Sequence, residues 1–449
     1  MFRPDLSRTE LHWKINECFN ANVKSEFPFG REFLVFSACL LVCFGVWRWA
    51  ECILVPANTL AAQSKGIPIG NNSDLYPRWF GARELLLHHR DPYSAEVTRG
   101  IQRGFYGREL DPDRLDDPTD QVAFAYPVYV VFLLAPTLEF SFATVQTISA
   151  WLLLFGIAAS VPAWMYAMGF RTKTALVFAG MVLAISTYPA VLEFHMQNLA
   201  ALVAILLAFA AAAAARNYLF FSGLLLAFSS IKPQFSALFI LCFLLWTTGN
   251  WQKRKRLVLS FTATMCALMV AGQIVLPHWI AEFVGAIRAY TSYATDPSIL
   301  RFVFGPILSR VAGVALCIVV VLVTLRYRAC PAGSTNFGWL LAWAASVTVT
   351  ILPVTVYNQV LLVPPLLALL QPAKSSSLLP RALARGTCIC LAWQWITAVI
   401  LAICSLFISP AQLLFLAKVP VWTLIALPPL TLLAIAASTI SLRFATPVQ

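Results

Sequence analysis

Apolar positions come in long runs along this chain, separated by short polar breaks. The runs cover about Phe33–Val55, Phe142–Met168, Ala175–Leu192, Met196–Ala215, Tyr218–Ser230, Phe235–Thr247, Leu257–Leu276, Val303–Leu325, Trp339–Leu352, Val360–Leu370, Thr387–Ile408 and Val419–Ile440. A run of about 18 residues or more can cross a ~30 Å hydrocarbon core as a helix. The shorter runs are expected to extend into their flanks. The pattern predicts an all-α, polytopic transmembrane helical bundle with eleven to thirteen spans.

One stretch breaks the pattern. Asn71 to Tyr93 (NNSDLYPRWFGARELLLHHRDPY) is a polar island, and the loop around it, residues 57–123, follows the first run. Within it, Tyr76 to Leu87 predicts a short amphipathic helix with Trp79, Phe80, Leu85, Leu86 and Leu87 as its apolar surface, able to lie flat on a membrane. Asp91-Pro92-Tyr93 reads as a turn. Residues 109–120 (ELDPDRLDDPTD) read as a solvated acidic loop. Residues 124–138 are apolar, but there are only fifteen of them, with Pro127 and Pro136. They read as a re-entrant or interfacial segment.

Composition supports the membrane reading. The chain has 449 residues, 59% hydrophobic and 12% charged, against roughly 25% charged in soluble domains. The net charge of +12 would suggest nucleic acid in a soluble protein. Here the basic residues sit in short loops beside spans, where they set orientation and meet membrane lipids, so no nucleic-acid partner is expected. The 11 cysteines fall mostly inside apolar runs and behave as small hydrophobes. Cys388-Ile389-Cys390 is not a zinc spacing, and neither a metal nor a cofactor is expected. Residues 1–32 read as a cytosolic N-terminal tail without a cleavable signal, and 33–449 as a single membrane domain. Arg48 and Glu51 lie three apart in the first run and are expected to pair.

Orientation follows from the basic residues after position 123. If the N-terminus is inside and 124–138 do not cross, 13 of the 18 lie on the cytoplasmic side; Lys232, Arg288, Arg301, Arg310 and Lys418 are the five that do not. That bias is what the positive-inside rule predicts, and it makes 57–123 the first extracytoplasmic loop. The same side then receives Glu193-Phe194-His195-Met196-Gln197-Asn198, Ile231-Lys232-Pro233-Gln234, the loop with Arg288 and Arg301, and Tyr357-Asn358-Gln359. Ten of the 20 acidic residues lie in the loop, between Asp74 and Asp120. Four polar clusters converging beside it suggest a site.

The chemistry that suits such a place uses a membrane-borne donor, because nucleotides are scarce outside the cytosol and no nucleotide-binding glycine loop is present. A polyprenyl-phosphate sugar fits. Its leaving group is already an anion, so the protein need supply only a base for the acceptor hydroxyl and cations for the phosphate. Asp74 is the expected base, Lys232 and Arg301 the cations, and His195 a polar helper. Each has a plainer reading: Asp74 as the N-cap of the short helix, Lys232 as a snorkelling lysine, His195 as structural, and Asn358 and Gln359 as satisfying a broken helix end.

A resemblance sharpens this. Ser73-Asp74-Leu75-Tyr76, Ala82, Leu85-Leu86 and Asp91-Pro92-Tyr93 come first. Then come Phe124-Ala125-Tyr126-Pro127 with Leu133-Leu134-Ala135-Pro136, and Gln197-Asn198 with Ser222-Gly223-Leu224 and Ile231-Lys232-Pro233. Pro353 to Pro364 (PVTVYNQVLLVP) closes the set. The ordered set resembles the family 87 glycosyltransferases, polyprenol-phosphate-mannose-dependent α-mannosyltransferases of the membrane-embedded GT-C class. It covers about residues 70–372. Departures are Arg90 and Met196 where glycines are common, Val128 for a second proline, and Asn358-Gln359 where many members carry histidine. The resemblance implies a GT-C fold and inverting transfer of a hexose, with mannose first, to an extracytoplasmic glycolipid or glycan. It implies Asp74 as base in a plasma-membrane enzyme. Tyr126, Gln197, Asn198, Gln234, Tyr357, Asn358 and Gln359 join Lys232, Arg301 and His195 as expected substrate-binding residues. The rival readings are a transporter or lipid flippase, which predicts buried charges and inverted repeats, and a non-catalytic cell-envelope scaffold.

Overall fold

A computed structural model describes residues 30–445, except 65, 68, 112, 115–116, 294–296 and 372–377. The expected tail lies almost wholly outside the described residues. The described chain is an all-α polytopic bundle. Its helices in order are α1 (Arg31–Trp49), α2 (Val55–Ser64), α3 (Tyr76–His88), α4 (Ala95–Phe105), α5 (Val130–Leu134), α6 (Phe142–Ala167), α7 (Thr174–Ile185), α8 (Tyr188–Met196), α9 (Leu199–Ala215), α10 (Leu219–Ser229), α11 (Pro233–Thr248), α12 (Trp251–Val275), α13 (Trp279–Tyr293), α14 (Ile299–Tyr327), α15 (Thr335–Ile351), α16 (Val363–Leu370), α17 (Leu378–Cys404), α18 (Pro410–Leu413) and α19 (Leu427–Ala445).

Among the described residues, six segments are long and apolar enough to cross a membrane, and α7 with α8, bent by 59°, makes up to seven. The expected eleven to thirteen spans also counted shorter runs. Of these, α9, α10, α11 and Val356–Leu370 are apolar helices of 10–17 residues. At 1.5 Å per residue the 17 residues of α9 rise only about 25 Å. Such a helix avoids a mismatch with lipid by standing inside the bundle. Leu199, Ala200, Val203, Leu207, Ala210, Ala211 and Ala214 of α9 are all buried. Small side chains on every face let α6, α10 and α11 approach closely.

The loop helices dock on protein. Trp79 and Leu85 of α3 are buried, Phe80 and Leu86 pack against the same core, and only Leu87 is largely exposed. A Cβ at Gly81 would sit 2.4 Å from Phe124 Cδ2, and one at Gly104 would sit 2.1 Å from the Tyr76 ring. The apolar stripe expected to rest on lipid is thus the seam between α3, α4 and the 124–138 segment. That segment contains a five-residue helix and a 3₁₀ turn, too short at about 1.5 Å per residue to cross. Phe124, Val128, Val130 and Val131 are fully buried.

The expected Arg48–Glu51 pair does not form. Arg48 Nε donates to Ser405 Oγ at 3.2 Å, and Glu51 lies 3.3 Å from His195 Nε2. The cause is local: Ala50–Leu54 is a π-helical turn, whose wider turn rotates residue 51 away from the face that an α-helix would give it. The end of the bundle remote from the loop is held by Arg254, expected as a basic loop residue. Its guanidinium lies 3.8 Å over the Trp246 ring and donates to the carbonyls of Trp246 at 2.7 Å, Arg328 at 2.6 Å and Cys330 at 2.7 Å.

Candidate functional site

Asp74 is held by the turn that precedes α3. Ser73 N–H donates to Asn71 Oδ1 at 3.1 Å, and Leu75 N–H donates to Ser73 Oγ at 3.3 Å. The serine therefore serves the helix start, and the first turn of α3 has no cap from Asp74. The N-cap reading of Asp74 is overturned. Its backbone N–H instead donates to the Met196 carbonyl at 2.7 Å, and Ser73 Oγ donates to Gln197 Oε1 at 2.6 Å. Those two bonds dock the loop on the α8–α9 junction. Gln197 is left-handed there, with φ 48°, a conformation that costs a non-glycine residue about 1–2 kcal/mol and that breaks the chain cleanly between the two helices.

Next in the chain is the bridge. Asn198 Nδ2 donates to Asp74 Oδ2 at 2.6 Å, and Lys232 Nζ donates to Asn198 Oδ1 at 2.9 Å. The same Oδ1 accepts the Ala200 N–H at 2.8 Å and caps α9. Lys232 stands between α10 and α11, only 7% exposed, so it does not snorkel. Its ammonium lies 5.0 Å from the centre of the Tyr357 ring and 5.6 Å from that of Phe235. Burial pulls the Lys232 ammonium down to about 8, while the Glu193 and Asp74 carboxylates push the other way. Gln197, Asn198, Lys232, Tyr126 and Tyr357 are therefore gathered around Asp74 as expected.

Two neighbours were not singled out from the sequence. Arg78, one helical turn after Asp74, donates from Nη1 to the Asp74 carbonyl at 2.6 Å and stacks 4.3 Å over the Tyr126 ring. Its Nε has no partner. The i,i+4 spacing from Asp74 was the available signal. Glu193, in the last turn of α8, is 0% exposed, and neither carboxylate oxygen has a hydrogen-bond partner. It feels the charges of Lys232 and Asp74. The polar break between two apolar runs thus carries a wholly buried carboxyl. A lone acid closing an apolar run was the signal for it.

Other expected site residues lie elsewhere. His195 faces Glu51 and the Trp47 and Phe194 rings, because it and Asn198 leave the α8–α9 junction in different directions. Arg301 is exposed on the first turn of α14, where its backbone N–H donates to Ser298 Oγ at 3.2 Å. Gln234 is exposed in the first turn of α11. Gln359 donates to the Leu424 carbonyl at 2.8 Å and lines a small, mostly apolar cavity with Thr187, Gln394 and Leu427. Asn358 is buried and donates to Thr355 Oγ1, and its own Oδ1 has no partner.

No family model, curated protein or solved structure matches this chain. The likeness to family 87 therefore rests on its own ordered residues. What the geometry offers is a carboxylate, an ammonium and a guanidinium around one polar spot, walled by Tyr126 and Tyr357, at the end of an apolar bundle. Such a set can take a proton from a hydroxyl and hold an anion in a poorly hydrated place, where charge interactions are stronger than in water.

Proposed function

We propose that this chain is a membrane glycosyltransferase that moves a hexose, with mannose the first to test, from a polyprenyl phosphate to a glycolipid or glycan acceptor on the extracytoplasmic side of the plasma membrane. The observation that carries the reading is the bridge from Asp74 through Asn198 to Lys232, which sets a base and a cation side by side where a lipid-linked anion can arrive from the bilayer.

In the proposed step Asp74 accepts the proton of the acceptor hydroxyl. The acceptor oxygen bonds to the anomeric carbon as the bond from that carbon to the phosphate oxygen breaks. The leaving polyprenyl phosphate keeps the bonding electrons, and the configuration inverts. Lys232 holds the phosphate, and Arg78 takes the second cationic role expected of Arg301. Positive charge aimed where negative charge accumulates is the usual means of stabilising such a transition state. The ordered likeness to family 87 supports the same assignment.

The test is transfer from radiolabelled polyprenyl-phosphate mannose in membranes, comparing wild type with Asp74→Asn. Label reaching a glycolipid or glycan with wild type alone supports enzyme and base together. Glu193 favours one other reading, since an unpartnered buried carboxyl beside a lysine also suits a proton-coupled transporter. Substrate uptake by vesicles that depends on Glu193, with no transfer, would replace the enzyme reading.

A further inference from the structure

Asn198 is placed between the two charges that the proposed reaction needs. Its oxygen faces two donors, the Lys232 ammonium at 2.9 Å and the Ala200 N–H at 2.8 Å, and its nitrogen faces the Asp74 carboxylate at 2.6 Å. Reversing the amide would set its N–H₂ against two donors and its oxygen against a carboxylate, so the surroundings leave it one orientation. Asn198 is itself almost wholly buried. It also opens α9, so its backbone position is set by that helix and by the left-handed Gln197 before it.

Without a spacer, a half-buried carboxylate and a buried ammonium that share one bridging side chain could form a direct ion pair. Such a pair draws the carboxylate down by 1–3 pKa units, which makes it a weaker base. It would also occupy the cation that must hold the donor phosphate. A neutral amide satisfies both groups and joins them without letting them meet.

We infer that Asn198 is a positioning residue whose side-chain amide keeps Asp74 and Lys232 apart, so that the carboxylate stays available to a hydroxyl and the ammonium to an anionic phosphate. The inference rests on the proposed reading for its catalytic meaning, but the spacing itself is testable without transfer. Arg78 and Asp120 from the loop, Glu193 from α8, Lys232, and the phenols of Tyr106, Tyr126 and Tyr357 are the charged and titratable groups that feel the Asp74 charge. They are common to all the variants below.

The experiment is an infrared titration of the Asp74 carboxyl band in the purified full chain, with the band identified by its loss in Asp74→Asn. Two variants move it in opposite directions. Asn198→Ser keeps a good helix cap but is too short to bridge, so Asp74 and Lys232 meet and Asp74 titrates lower, by about one unit or more. Asn198→Asp keeps the cap and the acceptor for Lys232 but sets a second carboxylate against Asp74, so Asp74 titrates higher by a similar amount. A residue that only caps α9 predicts no shift in either variant, and that result overturns the inference. If Asn198→Ser fails to fold, the upward shift in Asn198→Asp still decides.

A second arm reads transfer from polyprenyl-phosphate mannose. Both variants are expected to lose at least tenfold in kcat/KM, with the acidic limb of the pH profile moved in the direction of the titration shift. Opposite titration shifts without transfer by wild type would uphold the spacer and reject the transferase. Transfer by wild type with unmoved titrations would do the reverse.

Discussion

Arg78 binds the main-chain carbonyl of the residue one turn before it, Asp74, at 2.6 Å, while its guanidinium rests 4.3 Å over the ring of Tyr126. A single side chain thus fastens the turn that carries the proposed base to the 124–138 segment. Arg78→Lys keeps the charge but loses the planar stack and the directed bond, which are not interchangeable between the two residues. It is expected to raise KM for the lipid donor about tenfold with a smaller change in kcat. Steady-state kinetics with varied donor checks this, and an unchanged KM removes Arg78 from donor binding.

Asp74→Asn is expected to lower transfer by about 10²–10⁴-fold, the usual contribution of a general base. The Asp74 N–H bond to Met196 at 2.7 Å involves only the backbone, so the loop should stay docked. Unchanged protease resistance of the loop together with lost transfer is the expected pair of results. Full transfer by the variant would move the base elsewhere.

The Lys232 ammonium, drawn down to about 8 by burial, gives a pH prediction whose sign is fixed. Below that value the side chain is charged and can hold a phosphate; as pH rises through it the charge is lost. Transfer should therefore fall about tenfold for each unit above pH 8. Lys232→Arg, which stays charged, should flatten that limb even if it lowers the plateau. A pH–rate profile from 6.5 to 9.5 is enough to see this, and a flat wild-type profile would argue against a role for the ammonium.

Gly104→Ala tests the docking of the loop. The new Cβ would meet the Tyr76 ring at 2.1 Å, and forcing a methyl into a packed seam costs about 1–3 kcal/mol. The expected outcome is faster proteolysis of residues 57–123 and weaker transfer, with the melting of the bundle little changed. An unaltered cleavage rate would show that α3 and α4 do not depend on this contact.

Arg254→Ala tests the opposite end. It removes bonds to four carbonyls, those of Trp246, Arg328, Ala329 and Cys330, and a stack on Trp246. The loss of charged hydrogen bonds is expected to cost about 2–3 kcal/mol while leaving KM unaltered. A thermal melt in detergent alongside donor kinetics separates the two effects.

The helical bundle was legible because apolar runs report directly on the membrane, and the four polar breaks were legible because they interrupt those runs. Asp74, Asn198 and Lys232 came from that logic, and the geometry joins them. The failures have local causes that no periodicity carries. Glu51 left Arg48 because a π-turn shifted the face. His195 and Asn198 are three residues apart, but the left-handed Gln197 sends them to different partners. Arg301 shares the right end of the bundle with the other cations, yet being at the right end does not bring a side chain to the right spot.

Because the Asp74 turn docks on Met196 and Gln197, the loop must wait for its berth. More than a hundred further residues have to be synthesised before that junction exists, roughly ten seconds at 5–20 residues per second. In the first part of that interval, until residues 124–138 have been made, the aromatic underside of α3 is uncovered as well. The order of birth of the segments, and whatever shelters a half-made loop, then becomes part of how this protein reaches its working form.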